Sequence, residues 1–203
     1  MKIIAVGWNY MEHNRELNRV NIPTHPVIFM KPETALVKDN KPFFLPSFSN
    51  QIEYETEIVL RISKMGKNIS EKFADRYFDA VGLGIDFTAR DLQNEFKQKG
   101  IPWEICKAFD NSAPVSQFIP KEELDLANLN FSLNLNEKTV QKGNTSDMIF
   151  KPNQIIAYIS QFFTLKTGDL IFTGTPVGVG AVKIGDHLEG FIENNKMLDF
   201  HVC

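Results

Sequence analysis

Short apolar runs closed by Gly, Pro or Asn dominate this chain, and one stretch has a clear helical period. Such runs predict strands, because a strand buries its side chains within about four to eight positions. Met1 to Gly7 reads as a short buried strand ending on a glycine, and Val27 to Met30 as another leading into Lys31-Pro32. Residues 38–51 carry Pro42, Pro46 and two Asn and read as loop. Ile52 to Val59, continued by Leu60-Arg61-Ile62, reads as one strand. Ala80 to Asp86 is an apolar strand ending on an acid, and its interior Gly82 and Gly84 indicate either a bulge or close backbone approach. Phe131 to Leu135 and Thr139 to Lys142 predict a hairpin, as do His187 to Ile192 and Met197 to Val202. Asp169 to Thr173 is a further strand.

The helical stretch is Asn153 to Phe163, with Ile155, Ile156, Ile159, Phe162 and Phe163 on a core-facing stripe. Ser70 to Phe78 reads as a short helix capped by Ser70. Thr88 begins a polar helix that runs to about Lys99, where Gly100 stops it and Pro102 follows. Asn9 can cap a lightly anchored helix reaching Leu17, which would suit a lid over residues 9–20. The pattern predicts a predominantly β, α+β chain forming one domain over residues 1–203, without internal repeat or linker.

Composition changes this picture little. Hydrophobic residues make up 43% and charged residues 23% of the chain, as in an ordinary globular domain. A net charge of −3 gives no polybasic signal and argues against nucleic acid as a partner. Two cysteines, Cys106 and Cys203, make no disulfide framework, which fits a reducing compartment. No run approaches the roughly 20 apolar residues of a membrane helix, and Ile3 to Val6 is too short for a signal core, so a cytoplasmic protein with no membrane partner is expected.

Three groups of residues suggest chemistry. On one strand, Glu53, Glu55 and Glu57 would share a face, where crowded carboxylates repel unless a cation or water relieves them. Oxygen ligands alone select a hard ion such as Mg2+, Mn2+ or Ca2+, whereas a solvated edge strand needs no ion. Asp86, at the end of a buried run, needs a partner and could be a further ligand or a helix cap. His13 and Glu16, three apart on a helix, could form a general-base pair or lie incidentally on the surface. Lys107, alone in the apolar stretch 103–110, either snorkels outward or points at an anion. The glycine-rich turn 174–180 could bind a carboxylate or simply turn.

Taken in order, these pieces form a pattern. It runs Gly7-x-Asn9-Tyr10-x-x-His13-x-x-Glu16, Lys31-Pro32, Glu55-x-Glu57, Asp86-x-Thr88-Ala89-Arg90-Asp91-x-Gln93, Gly100-x-Pro102-Trp103, Lys107-x-Phe109-Asp110 and Thr173-Gly174-Thr175-Pro176-x-Gly178. It resembles the fumarylacetoacetate hydrolase family, in particular its single-domain acylpyruvase and oxaloacetate decarboxylase branch. The resemblance implies a mixed β-sandwich roll with a few peripheral helices, an N-terminal lid and a homodimer. It implies Mg2+ or Mn2+ on Glu55, Glu57 and Asp86, catalysis by His13, Glu16 and Lys107, and Arg90, Gln93 and Thr175 near substrate. Trp8 departs from the pattern, standing where relatives often carry Arg or Lys, and Glu53 stands where a His is common. The implied activity is C–C bond cleavage in a small 2-oxo acid, by acylpyruvate hydrolysis or oxaloacetate decarboxylation through an enolate. A tautomerase or isomerase would use the same site, and the non-enzymatic alternative is a Ca2+-binding β module.

Overall fold

The computed structural model describes residues 1–16 and 22–203. Its main strands in chain order are β1 (Ile3–Gly7), β2 (Val27–Lys31), β3 (Ile52–Tyr54), β4 (Thr56–Ile62), β5 (Phe78–Ile85), β6 (Asn130–Leu135), β7 (Lys138–Asn144), β8 (Leu170–Phe172), β9 (His187–Ile192) and β10 (Asn195–His201). The helices are α1 (Met11–Glu16), α2 (Arg90–Lys99), α3 (Glu104–Lys107) and α4 (Pro152–Phe162). A mixed sheet runs β2-β1-β8-β4-β5 and ends on the short strand Ile119–Pro120. Within it β1 and β8 are parallel, and the other pairs among these strands are antiparallel. A second sheet, β7-β6-β9-β10, is antiparallel throughout and contains both expected hairpins.

The principal core lies between these layers. Ile58, Leu60 and Ile62 of β4 and Val81, Leu83 and Ile85 of β5 meet Phe131, Leu133, Leu188, Ile192, Leu198 and Phe200 there. Alternation then sends Val59 to the opposite face, into a smaller cluster with Ile3, Ala5 and Phe172. Both faces of β4 and β5 are therefore buried, which is why their sequences read as nearly continuous apolar runs. Gly84 resolves to close approach rather than a bulge. A Cβ there would lie 2.6 Å from the Phe172 ring and 2.7 Å from Val59.

Several local expectations change. The acidic run is two strands, since β3 pairs with Thr88–Ala89 and Gly180–Ala181 while β4 pairs with β5 and β8. Glu55 is the corner between them. Asn9 is no helix cap: its amide accepts from Phe150 N–H at 2.7 Å and donates to the Phe150 and Thr173 carbonyls. These bonds span the domain and satisfy buried backbone that a cap would leave unmet. Residues 71–77 are a 3-10 helix, and Ser70 makes no side-chain cap bond. Phe162 at the end of α4 is 54% exposed, with its ring edge-on to Tyr158, so the core-facing stripe passes over it from Ile159 to Phe163, which packs against the core. Of the expected lid, residues 9–16 are described and residues 17–20 lie outside the described residues.

Candidate active site

The corner at Glu55 aims the acids. Glu53, before it, is drawn to Arg90 at the start of α2, whose Nε donates to Glu53 Oε2 at 2.6 Å. Glu55 and Glu57 converge with Asp86, which follows β5 and donates its N–H to the Glu55 carbonyl at 2.7 Å. Ligand oxygens of Glu55, Glu57 and Asp86 lie within 4.8 Å of one another, all buried. Four buried carboxylates, Glu53, Glu55, Glu57 and Asp86, face three buried cations, Lys31, Arg90 and Lys107.

The cations are distributed unevenly. Lys107 Nζ donates to Glu55 at 2.7 Å, Asp86 at 2.6 Å and Thr88 Oγ1 at 2.5 Å. Arg90 donates through Nη2 to Glu55 and through Nη1 to Gln93 Oε1 at 2.6 Å. Lys31, fully buried, lies 2.7 Å from Asp86 Oδ1 without hydrogen-bond alignment, and donates to Ser112 Oγ and the Lys107 carbonyl. Glu57 accepts from the Gly174 N–H at 2.6 Å and has no ion pair among the described residues.

Titration follows this distribution. Desolvation pushes Glu55 up, but Lys107 and Arg90 outweigh it and hold the carboxyl well below its usual range. Glu57 goes the other way, because burial and then the charges of Asp86 and Glu55 push it well above that range. Burial opposes the Lys107 charge, yet Asp86 and Glu55 hold its ammonium above the ordinary lysine value. Lys107 is thus a fixed positive charge rather than a base. An Asp86 oxygen that meets Lys31 without hydrogen-bond alignment and a Glu57 carboxylate with no ion pair among the described residues lie in one oxygen-lined cluster, which fits a hard divalent cation. A second group, His187, Glu189 and Asp199, is half-buried on the β9–β10 hairpin, and Lys196 already bridges its two acids.

His13 and Glu16 meet as their spacing suggests. Both sit on α1, with His13 Nδ1 3.0 Å from Glu16 Oε2 and the His13 side chain buried. The other Glu16 oxygen accepts from the Gly178 N–H at 3.0 Å. The turn 174–180 therefore does bind carboxylates, but those of the protein itself: Glu57 at Gly174 and Glu16 at Gly178. Asn9 pins the foot of α1 to the same turn through the Thr173 carbonyl.

His13, Glu55, Glu57, Asp86, Gln93, Lys107 and Thr175 all line one narrow cleft. Trp8, Phe29 and Trp103 form its aromatic wall, Trp103 lying 6.0 Å from each of the other two rings. Trp8 holds a left-handed backbone (φ 64°), uncommon for a bulky residue, and its carbonyl accepts from Asn14 at 3.0 Å. The matching family model, the fumarylacetoacetate (FAA) hydrolase C-terminal domain, spans residues 2–202. The chain belongs to the fumarylacetoacetate hydrolase family. The mitochondrial oxaloacetate tautomerase of Bos taurus is 41% identical over 201 residues, covering 98% of this chain and 90% of its own. Oxaloacetate tautomerase YcgM of Escherichia coli is 42% identical over 189 residues, covering 92% and 86%. Among solved structures, fumarylpyruvate hydrolase from Pseudomonas aeruginosa in complex with Mn2+ and pyruvate superposes with a TM-score of 0.94 at 34% identity, covering 100% of this chain and 89% of its own. The sheet-dominated architecture is that of the family.

Within this family fold, the residues that the resemblance placed in the site line the cleft except Glu16, which reaches it through His13, and Arg90. Arg90 lies behind the wall rather than on it, clamping Glu53, Glu55 and Gln93. Glu53 stands apart from the Glu55, Glu57 and Asp86 cluster, bound by Arg90 and Gln51. Lys31 was not legible as a site residue. Its signal was a lysine closing an apolar strand before proline, and its partners come from segments about 55–80 positions away.

Proposed function

We propose that the protein is a tautomerase of a small 2-oxo acid of the oxaloacetate type, working with a divalent cation, Mg2+ or Mn2+, held by Glu55, Glu57 and Asp86. The observation that carries this is the placement of an oriented His13–Glu16 pair over an acidic cluster in the same cleft. Two relatives above 40% identity are named oxaloacetate tautomerases, and a solved neighbour holds Mn2+ with pyruvate. A bound cation would act as a Lewis acid on the 2-oxo acid and favour its enolate form.

The residues supply the rest. Glu16 holds His13 Nδ1, which assigns proton exchange at the substrate's C3 to Nε2. Lys107 adds a fixed positive charge beside the developing enolate oxygen. Thr175 lines the cleft and its Oγ1 accepts from Gln141 at 2.9 Å, so its own hydroxyl hydrogen remains to donate to a substrate oxygen. Charge accounting also suits this ligand. Three buried cations against four carboxylates become one positive charge in excess when a divalent ion is added, and a substrate carboxylate offsets it. The test follows keto–enol exchange of oxaloacetate, by ultraviolet absorbance, with Mg2+ and after chelation. Catalysed exchange that survives thorough chelation would refute the cation's role.

A second reading, hydrolysis of an acylpyruvate, has one observation in its favour. Phe29 and Trp103 are shared between the cleft and a neighbouring cavity of about 540 Å3 lined by Val27, Ile28, Met30, Ile101 and Pro102. That space suits an acyl tail, with His13 activating water; decarboxylation would pass through the same enolate. Release of pyruvate from acylpyruvates faster than tautomerisation would favour it.

We also propose a homodimer. Phe44 (64% exposed) and Ile184 (68% exposed) lie on segments that hydrogen-bond the chain's last residues from either side. Large apolar side chains so exposed suit an interface. Sedimentation at micromolar concentration is expected to give twice the chain mass, and Phe44→Asp with Ile184→Asp to give monomer. A monomeric parent would overturn this assignment.

A further inference from the structure

We propose that Gln141 is a positioning residue that fixes the direction of the Thr175 hydroxyl, so that Thr175 offers substrate a hydrogen rather than a lone pair; this rests on the reading of the cleft as a 2-oxo acid site. Gln141 lies on β7 and is 1% exposed, although its strand neighbours Lys138, Thr139 and Lys142 are exposed. A β-bulge turns it inward. Leu133 of β6 pairs with Gln141, while the next residue, Asn134, pairs with Thr139, which leaves Val140 as the extra residue. Residues opposite one another on antiparallel strands share a face, so Gln141 joins the fully buried Leu133 on the inner face. In an unbroken register Val140 would stand there instead.

Two backbone groups settle which way round the amide lies. Its Oε1 accepts from the Thr56 N–H at 2.9 Å, between Glu55 and Glu57, and its Nε2 donates to the Pro176 carbonyl at 3.0 Å. A backbone N–H can only donate and a carbonyl can only accept, so the reversed amide would lose both bonds. The other Nε2 hydrogen goes to Thr175 Oγ1, 2.9 Å away, and Thr175 must accept it. Among the described residues the Thr175 hydroxyl donates to no protein acceptor, and Thr175 lines the cleft. A substrate carboxylate or keto oxygen carries only lone pairs, so a hydroxyl held with its hydrogen available is its complement, and a charged acceptor strengthens the bond. The bulge also seats the turn that carries Thr175. Gly178, at φ 102°, packs so closely on β7 that a Cβ there would lie 2.3 Å from the Val140 carbonyl oxygen.

The experiment titrates oxalate, which presents the paired oxygens of a 2-oxo acid head, onto the protein in saturating Mn2+, and titrates Mn2+ alone in parallel. Thr175→Val is expected to weaken oxalate binding about 10- to 100-fold, the effect of losing a hydrogen bond to a charged group. Gln141→Met should weaken it by a similar factor, because nothing then holds the Thr175 lone pair and the hydrogen is free to turn away. Adding Gln141→Met to Thr175→Val should cost little more, since the two residues act as one unit. If Gln141→Met fails to fold, Gln141→Glu replaces it in the same cycle: it keeps the acceptor for Thr56 and, when ionised, cannot donate to Thr175. Additive losses would mean that Gln141 acts independently of Thr175, and would overturn the proposal. Parent-like oxalate affinity in a folded Gln141 variant would overturn it too. So would a fall in Mn2+ affinity as large as the fall in oxalate affinity, which would place the effect on Glu55 and Glu57 through Thr56. A parent that binds no oxalate with Mn2+ present would remove the functional reading itself, and this inference with it.

Discussion

Glu57→Gln is expected to abolish cation-dependent turnover while leaving the metal-free protein at least as stable as the parent. Glu57 is buried beside Asp86 and Glu55, and among the described residues it accepts a hydrogen bond from the Gly174 N–H. Its native pKa is raised, so between the unfolded value of about 4.3 and that raised value the folded chain keeps a proton the unfolded chain has released. The stability this contributes is complete below the unfolded value and is lost as pH rises through the native one. Glutamine keeps an acceptor for Gly174 and removes the slope, so the gain over the parent should grow as pH rises. Asp86→Asn should behave oppositely. It strips charge from the carboxylate that pairs with two buried ammoniums, Lys31 and Lys107. Breaking a buried pair on one side costs about 3–5 kcal/mol. Both variants should lose at least the 10–100-fold in cation affinity that follows loss of a residue behind a ligand. Thermal melts across pH without metal, paired with Mn2+ titration, check both halves. Parent-like Mn2+ affinity in either variant would show that the wrong acids have been assigned.

His13→Ala is expected to slow oxaloacetate tautomerisation by about 10²–10⁴-fold, the usual contribution of a positioned acid–base group. Mn2+ affinity should stay near that of the parent, because His13 lies outside the Glu55, Glu57 and Asp86 cluster. Glu16→Gln should cost less than His13→Ala, since the amide can still accept from Gly178 but no longer stabilises the charged imidazole. The same two variants separate the readings of function. If acylpyruvate hydrolysis falls while tautomerisation persists, His13 activates water and the hydrolase reading gains. A fall in Mn2+ affinity comparable to the fall in rate would show that His13 works by supporting the cation site.

Much of this protein was legible in its one-dimensional pattern. Buried strands announce themselves because β4 and β5 are covered on both faces, so their residues are apolar without interruption. Gly100 marks the end of α2 because a left-handed φ of 66° suits a residue without a Cβ. His13 and Glu16 were readable as a pair because both lie on one helix, where spacing alone fixes neighbours. The order of short polar motifs was enough to point to the family.

The tertiary structure decided how the charges are shared. Local pattern placed Glu53, Glu55 and Glu57 in one row; the fold breaks that row at Glu55 because residues on either side pair with different sheets. Arg90 claims Glu53, which separates it from the acids that converge with Asp86. Lys31 reaches Asp86 and Ser112 across more than 50 positions of sequence, a contact set by the packing of β2 against α3 and invisible to any periodicity. Sequence determines which side chains can bear charge. Which of those charges stay uncompensated, and so call for a cation or a substrate carboxylate, depends on three-dimensional neighbours, because electrostatic energy depends on distance and burial rather than on position along the chain.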